Sequence, residues 1–436
     1  MICRALLLVM LSVIAEVQES RAERVVIANM DVTNPSPFIR RSESLFIPFT
    51  RLGLDPMYKG PITWHVVDGS EVVPTEVVDT DGDGKTDSVV FIGDYAAKQV
   101  RHLSVLSDDG LKLPKTKKQT QAEISIKEGG HWNGNHYDDG HFENVKHVKP
   151  PPQHTGSSTF IRYEGPGIES DKVAYRVYLD QRNGFDIFGK KISDMVLQNI
   201  GVDDRESYES DAPWGLDIFK VGDSLGAGGF GYWNGKQVEQ VANTESREAT
   251  IVANGDLYSA FDMHYNHWKV ADGVYDVSAM ISMSAGSRLA HNVVQIRAES
   301  KRAISPIAIG VVKHPNTKLI ESDPGSTLEW AYAASWGKQS RIAPEEYLGI
   351  GVLFHRLKGI KQTEDGSSYV SVMDASKGAL DYYFFAAWDK EPGGIKSESE
   401  FKTFLDQEVE RLSAPLQVMI ARPHEKQIHN NKVNSN

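Results

Sequence analysis

The chain has 436 residues, a single cysteine and a formal net charge of −12 at pH 7. An acidic balance broken only by short basic runs such as Lys115–Lys118 argues against a nucleic-acid surface, and no segment beyond the N-terminus is long and apolar enough for a membrane span. One cysteine excludes a disulfide-stapled scaffold, so a large buried core has to hold the fold.

In chain order, Met1–Arg4 is a short basic start, Ala5–Ala15 is almost continuously apolar, and Ser20-Arg21-Ala22 offers small residues for cleavage. That layout predicts a signal peptide over 1–22, cut near Ala22, and a secreted or periplasmic protein. Cys3 precedes the apolar run, which speaks against lipid attachment there.

Short β-type runs follow: "RVVIANMDV", "LFIPFTRL", "ITWHVVD", "EVVPTEVVD" and "SVVFIGDY". A polar, proline-broken stretch, "LKLPKTKKQT", then separates an N-terminal β segment (23–115) from a larger β region (120–422). Later runs include "STFIRYEG", "KVAYRVYLD", "AMISMSAGS", "IAIGVVKH", "YLGIGVLFH" and "YYFFAAW". One helix is expected, Ser397–Leu412, with Ser397 and Glu400 as a capping box and Pro415 beyond its end. The polar tail 423–436 is expected to be disordered. The predicted fold is mostly β: an antiparallel β-sandwich or supersandwich with a smaller N-terminal β segment and a C-terminal helix.

"DTDGDGKTD" places Asp79, Asp81, Asp83 and Asp87 at alternating positions around Gly84, the first nine positions of a calcium loop. Position 12 is Val90 instead of Glu and the flanks read as strands, so a calcium-stapled β-hairpin competes with a metal-free Asp/Gly turn. A structural calcium ion is expected and no organic cofactor. Downstream, five of the 14 histidines fall within His131–His154, without zinc-type spacing; His141 and His154, beside turn residues, are the functional candidates there.

"KVAYRVYLDQRNGFDIFGKK" carries the densest chemistry. If the strand alternates, Val173, Tyr175, Val177 and Leu179 face one way and Arg176, Tyr178, Asp180 and Arg182 the other. Such a row reads either as the floor of a polar cleft for an anionic ligand or as a salt-bridged face joining two sheets. "WGLDIFKVGDSLGAGGFGYW" adds Trp214 and Lys220 as ligand contacts. Its glycines lack the G-K-[ST] of a phosphate loop and fit close sheet packing. "FDMHYNHWKV" sets His264 beside Tyr265, a further acid–base candidate pair or a packed aromatic cluster.

Together, "GPGIESDKVAYRVYLDQRNGFDIFGKK", "WGLDIFKVGDSLGAGGFGYW", "SMSAGSR" and "DTDGDGKTD" resemble a family of exported bacterial proteins found at polysaccharide-degradation loci, long filed as a domain of unknown function. Its best-understood members are ulvan oligosaccharide dehydratases. The resemblance runs over about Val25–Leu412. It implies a lyase-type loss of water across C4 and C5 of a non-reducing-end uronic acid in an anionic oligosaccharide. That chemistry needs a cation on the substrate carboxylate, a base for the C5 proton and an acid for the departing 4-hydroxyl. Arg176 or Arg182 suits the first role, His154 or His264 the second, Tyr178 or Tyr265 the third, with Asp180 in the same row. A non-catalytic glycan-binding protein, and a glycoside hydrolase using Glu169 with Asp171 or Asp180, are the alternatives. No nucleic-acid or membrane partner is expected.

Overall fold

The computed structural model describes residues 25–422, except 55–63, 108–115, 204–205, 272, 300–303, 305 and 342–344. The expected signal peptide and C-terminal tail lie outside the described residues, as does much of the expected boundary at 111–120. Among the described residues no helix is long and apolar enough to cross a membrane.

The fold is mostly β, with antiparallel sheets throughout and one long helix. A nine-stranded sheet forms the central layer, ordered His147–Val148, Ser246–Asn254, Tyr258–Val270, Gly273–Ser284, Leu289–Ala298, Ala379–Trp388, Tyr347–His355, Trp330–Lys338 and Leu319–Glu321. Two five-stranded sheets cover one of its faces through the main core. One of these, ordered Gly215–Asp217, Phe185–Lys190, Val173–Val177, Gly167–Ser170 and Thr120–Glu123, carries the polar residues singled out above. Glycines permit the close approach: a Cβ on Gly228 would run into Phe384 of the central sheet.

The opposite face of the central sheet packs against the helix Glu398–Ser413 through Trp336, Phe385, Phe401 and Leu405. Ser397 Oγ accepts the Glu400 N–H at 3.2 Å and the Glu400 carboxylate accepts the Lys396 N–H at 2.8 Å, which fixes the helix start one residue after the cap. The same face meets the N-terminal sandwich through Val78, Val90, Tyr258 and Ala260.

That sandwich pairs a three-stranded sheet with a five-stranded one. The edge strand Val25–Thr33 is completed by Gln417–Ala421, with Asn29 opposite Ala421 and Thr33 opposite Gln417. The span 120–422 expected to form the larger region therefore lends its last strand to the smaller one. Pairing removes an exposed edge from Val25–Thr33, which is the physical gain that draws the chain end back.

Candidate functional site

The strand Val173–Val177 alternates as its sequence dictates. Val173, Tyr175 and Val177 join the main core, while Ala174 and Arg176 face away from it. On the outward face the neighbouring strands contribute Glu123, Glu169, Asp186, Lys190 and Asp217, every one of them buried. The described residues of 191–203 and 208–214 cover them, packing Val196, Leu197, Ile200 and Tyr208, with Trp214 at the end, on Phe188 and Tyr163. A sheet face buried under a covering segment would ordinarily be apolar. This one holds a chain of ion pairs, whose desolvation is costly and which stand only because each charge is paired.

Arg176 sits at the centre. Its Nη2 lies 2.6 Å from Asp186 and 2.9 Å from Asp217, its Nη1 is 3.8 Å from Glu164, and its guanidinium lies over the rings of Phe188 and Tyr208. Asp186 is the direct cross-strand partner of Arg176. Burial and the adjacent Asp186 carboxylate push the Asp217 carboxyl up to about 7, against the pull of Arg176. Arg341, at 3.2 Å from the same Asp217 oxygen, carries the chain of charges to the surface. The Tyr178 hydroxyl donates to Asp186, and burial raises its pKa well above the ordinary phenol value.

The strand ends at Val177, so Asp180 and Arg182 do not continue the row of side chains predicted from alternation. They belong to a tight turn in which Asn183 N–H donates to the Asp180 carbonyl at 3.2 Å and Arg182 N–H to the Asp180 carboxylate at 2.8 Å. The turn folds Arg182 back: its guanidinium stacks 4.1 Å over the Tyr178 ring and meets Asp180 at 3.0 Å and Glu164 at 3.1 Å. Its side chain is 37% exposed where that of Arg176 is 4% exposed, so Arg182 is the guanidinium that reaches solvent. Backbone strain gathers around it, with φ of 41° at Tyr163, 72° at Glu164 and 43° at Asn183.

His154 comes to the same turn from a distant segment. It is buried, its Nδ1 lies 2.7 Å from Ser158 Oγ, and its ring feels the charges of Asp180, Arg247 and Arg182. Among the described residues its Nε2 has no hydrogen-bond partner. Burial lowers its pKa to about 4, so the ring is neutral at physiological pH and Nε2 is a buried, unpaired acceptor once Nδ1–H donates to Ser158. Glu164, Tyr208 and Gly156 line a shallow pocket beside Arg182, whose guanidinium also crowds Gly156.

Of the other candidates, Tyr265 reaches this turn through its hydroxyl bond to Asn183, whereas His264, Lys220 and His141 lie apart from it. His264 and Tyr265 lie on opposite faces of one strand, as neighbours in a strand must. His264 is half-exposed and bound to Asp262 at 2.6 Å, whereas Tyr265 is buried in the main core with its hydroxyl donating to Asn183. They cannot act as a pair. Trp214 packs on Phe188 in the covering segment, and Lys220 is exposed, its backbone carbonyl receiving His314 Nε2 at 2.8 Å. His141 is exposed and paired with Glu143 at 2.8 Å. Glu169, offered as a hydrolase carboxylate, is fully buried against Lys190, so it cannot flank a scissile bond with Asp171 or Asp180.

Asp186, Glu164, Tyr208, Arg247 and Arg341 join the group without having been singled out. Asp186 had a signal in "FDIFGK", where Asp186, Phe188 and Lys190 alternate with core residues. The others arrive from separate loops and strands and carry no local pattern.

In the aspartate loop, oxygens of Asp79, Asp81 and Asp87 lie within 4.8 Å of one another, a set that hard oxygen-seeking cations fit. Asp83 does not join them; its carboxylate turns to Lys85 at 2.9 Å because that cation stands two residues away. The loop sits far along the fold from Arg182, against Val252 and Met280 of the central sheet.

No curated protein matches the chain. Among solved structures, a protein in the glycosyl hydrolase family 38 from Enterococcus faecalis aligns at 9% identity and a TM-score of 0.43, covering 91% of this chain and 48% of its own. An alpha-mannosidase from Enterococcus faecalis V583 aligns at 9% identity and a TM-score of 0.38, covering 91% and 46%. The chain thus spans about half the length of these structures. Residues 32–418 match the family described as a domain of unknown function, DUF4861, and the protein belongs to that family.

Proposed function

We propose that the protein is an exported carbohydrate-active enzyme that eliminates water from the non-reducing-end uronic acid of anionic, ulvan-type oligosaccharides, leaving an unsaturated uronyl end. The observation that carries this reading is the juxtaposition at one turn of a solvent-reaching guanidinium (Arg182), a phenol beneath it (Tyr178) and a neutral, buried histidine whose Nε2 is unpaired among the described residues (His154). The resemblance of the long motifs to a family whose best-understood members are ulvan oligosaccharide dehydratases supports the reaction class.

In this reading Arg182 binds the substrate carboxylate and withdraws charge from C5, because its side chain reaches solvent whereas Arg176 is buried between Asp186 and Asp217. Asp180 holds Arg182 in place. His154 Nε2 takes the C5 proton, and electrons move to form the C4–C5 double bond. The C4 oxygen leaves with a proton from Tyr178, whose hydroxyl rests on Asp186 and can be resupplied from the Asp186–Asp217 pair. One proton gained at His154 and one lost at Tyr178 balance the release of water.

The test is incubation with uronate-capped oligosaccharides, followed at about 235 nm, where the unsaturated uronyl product of proton abstraction absorbs. No absorbance across sulfated and unsulfated uronate substrates overturns the reading. Tyr178→Phe is expected to lower turnover about 10²–10⁴-fold while the protein stays folded; an unchanged rate removes Tyr178 from the reaction.

The aspartate loop is read as a calcium staple held by Asp79, Asp81 and Asp87. Calcium is then expected to raise the melting temperature by a few degrees, since a ligand that binds only the native state stabilises it. Asp81→Ala should abolish the response and Asp83→Ala should keep it. Equal melting curves with calcium and with a chelator would remove the ion from the proposal.

A further inference from the structure

The face of the central sheet turned away from Arg182 borders a cavity of about 600 Å³, walled by the N-terminal sandwich on one side and the helix Glu398–Ser413 on the other. We propose that it is a binding site for an uncharged, polyhydroxylated ligand the size of a short neutral oligosaccharide. The site is independent of the elimination reading, because the whole central sheet lies between them.

The charged groups around it are paired with one another. Arg411 bridges Glu43 at 3.3 Å and Glu408 at 3.4 Å, and Arg40 lies 3.5 Å from Glu43, so the cations and carboxylates of the cavity neutralise one another. His291 is paired with Asp381 at 2.7 Å, and hydroxyls take the remaining polar positions. Ser282 and Ser284 alternate outward from "SMSAGSR", on a strand whose Ile281 and Met283 enter the core. Ser44 faces them from the N-terminal sandwich, its Oγ buried and, among the described residues, without a partner. Alternating serines over a buried strand face give up apolar packing, and an unpaired buried hydroxyl costs free energy unless a ligand meets it.

Trp330 and Tyr258, packed on His355 and Phe46, add apolar edges to the same space. The volume falls within the range of small-molecule sites, about 300–1,000 Å³, and suits two or three rings. Gly286 closes one wall: at φ +77° it brings its loop so close to Ser42 that any Cβ would collide with it.

The experiment is calorimetric titration of the full chain with maltotriose, cellotriose, xylotriose and mannotriose, and with trigalacturonate as the charged counterpart. At least one neutral trisaccharide is expected to bind with Kd of about 1 mM or tighter, and Ser284→Phe, which fills the cavity, to weaken it at least about tenfold. Trigalacturonate binding should be unchanged in that variant. Absence of heat from all four neutral sugars, or equal affinity in Ser284→Phe, overturns the proposal. If Ser284→Phe fails to fold, hydrogen exchange on the wild-type chain decides. Protection by the bound trisaccharide at Gly273–Ser284 and Glu398–Ser413 supports the site, and its absence overturns it.

Discussion

Lys190→Met is expected to destabilise the protein by about 3–5 kcal/mol, the usual cost of removing one partner from a buried ion pair. Lys190 and Glu169 are both fully buried, with Nζ 2.5 Å from the carboxylate and 2.7 Å from the Ser170 carbonyl. Methionine fills nearly the same volume, so the loss reports charge rather than a cavity. Glu169 would then be left as an uncompensated anion in a site where burial already raises its pKa against the pull of Lys190. The pH dependence follows from that sign. A carboxyl whose folded pKa exceeds its unfolded value stabilises the native state at low pH, and this contribution is lost as pH rises through the folded pKa. Lys190→Met should therefore be least damaging near pH 5 and most damaging at pH 8. Glu169 also accepts the Val196 and Leu197 N–H groups at 2.9 Å each, anchoring the start of the segment that roofs the sheet. The double variant Lys190→Met/Glu169→Gln keeps an acceptor for those amides without the charge, and should recover most of the loss. Denaturant midpoints at the two pH values measure all of this. An equally unstable double variant, or a pH-independent loss, would show that the pair acts through packing.

Much of this arrangement was legible in the sequence, and the limits have physical causes. Alternation told which residues of Val173–Val177 enter the core, because a strand offers only two faces. It failed at Asp180 and Arg182, where "LDQRNG" turns the chain and Asp180 binds the backbone of Arg182, whereas the Tyr178 hydroxyl still meets Arg176 and Asp186. The row of charges could be read as a cleft floor or as an inter-sheet ion-pair face, and the geometry divides those roles. Arg176 is the buried pair, whereas Arg182 reaches solvent. Asp217, 41 positions from Arg176, and Glu164 on its strained turn could not be assigned to Arg176 by any local pattern. His264 was the opposite case: adjacency to Tyr265 suggested partnership, while the strand period puts the two on opposite faces. The terminal strand Gln417–Ala421 joins the N-terminal sheet over almost the whole chain length, a pairing that local sequence does not encode.

His154→Asn is expected to lower turnover about 10²–10⁴-fold, the range that a positioned general base contributes. Asparagine retains a polar group where Nδ1 meets Ser158 and deletes the unpaired Nε2, so the substitution separates the two ring nitrogens. His264→Asn is the matched control and should leave turnover unchanged, since that ring is bound to Asp262 on the far side of its strand. A second readout tests burial independently of activity. The His154 pKa is lowered to about 4, chiefly by desolvation, against about 6.5 for a free imidazole. Between these values the unfolded chain takes up a proton that the native state refuses, so wild-type stability falls as pH drops from about 6.5 to about 4, by about 2–4 kcal/mol from this group. His154→Asn has no such group, so its stability should be flatter over that window and gain on the wild type toward pH 4. Lost turnover together with the flattened acid profile identifies a buried, neutral base. A normal turnover with the same flattening would make His154 a packed core histidine, and the base for the C5 proton would have to come from the Asp186–Asp217 pair instead.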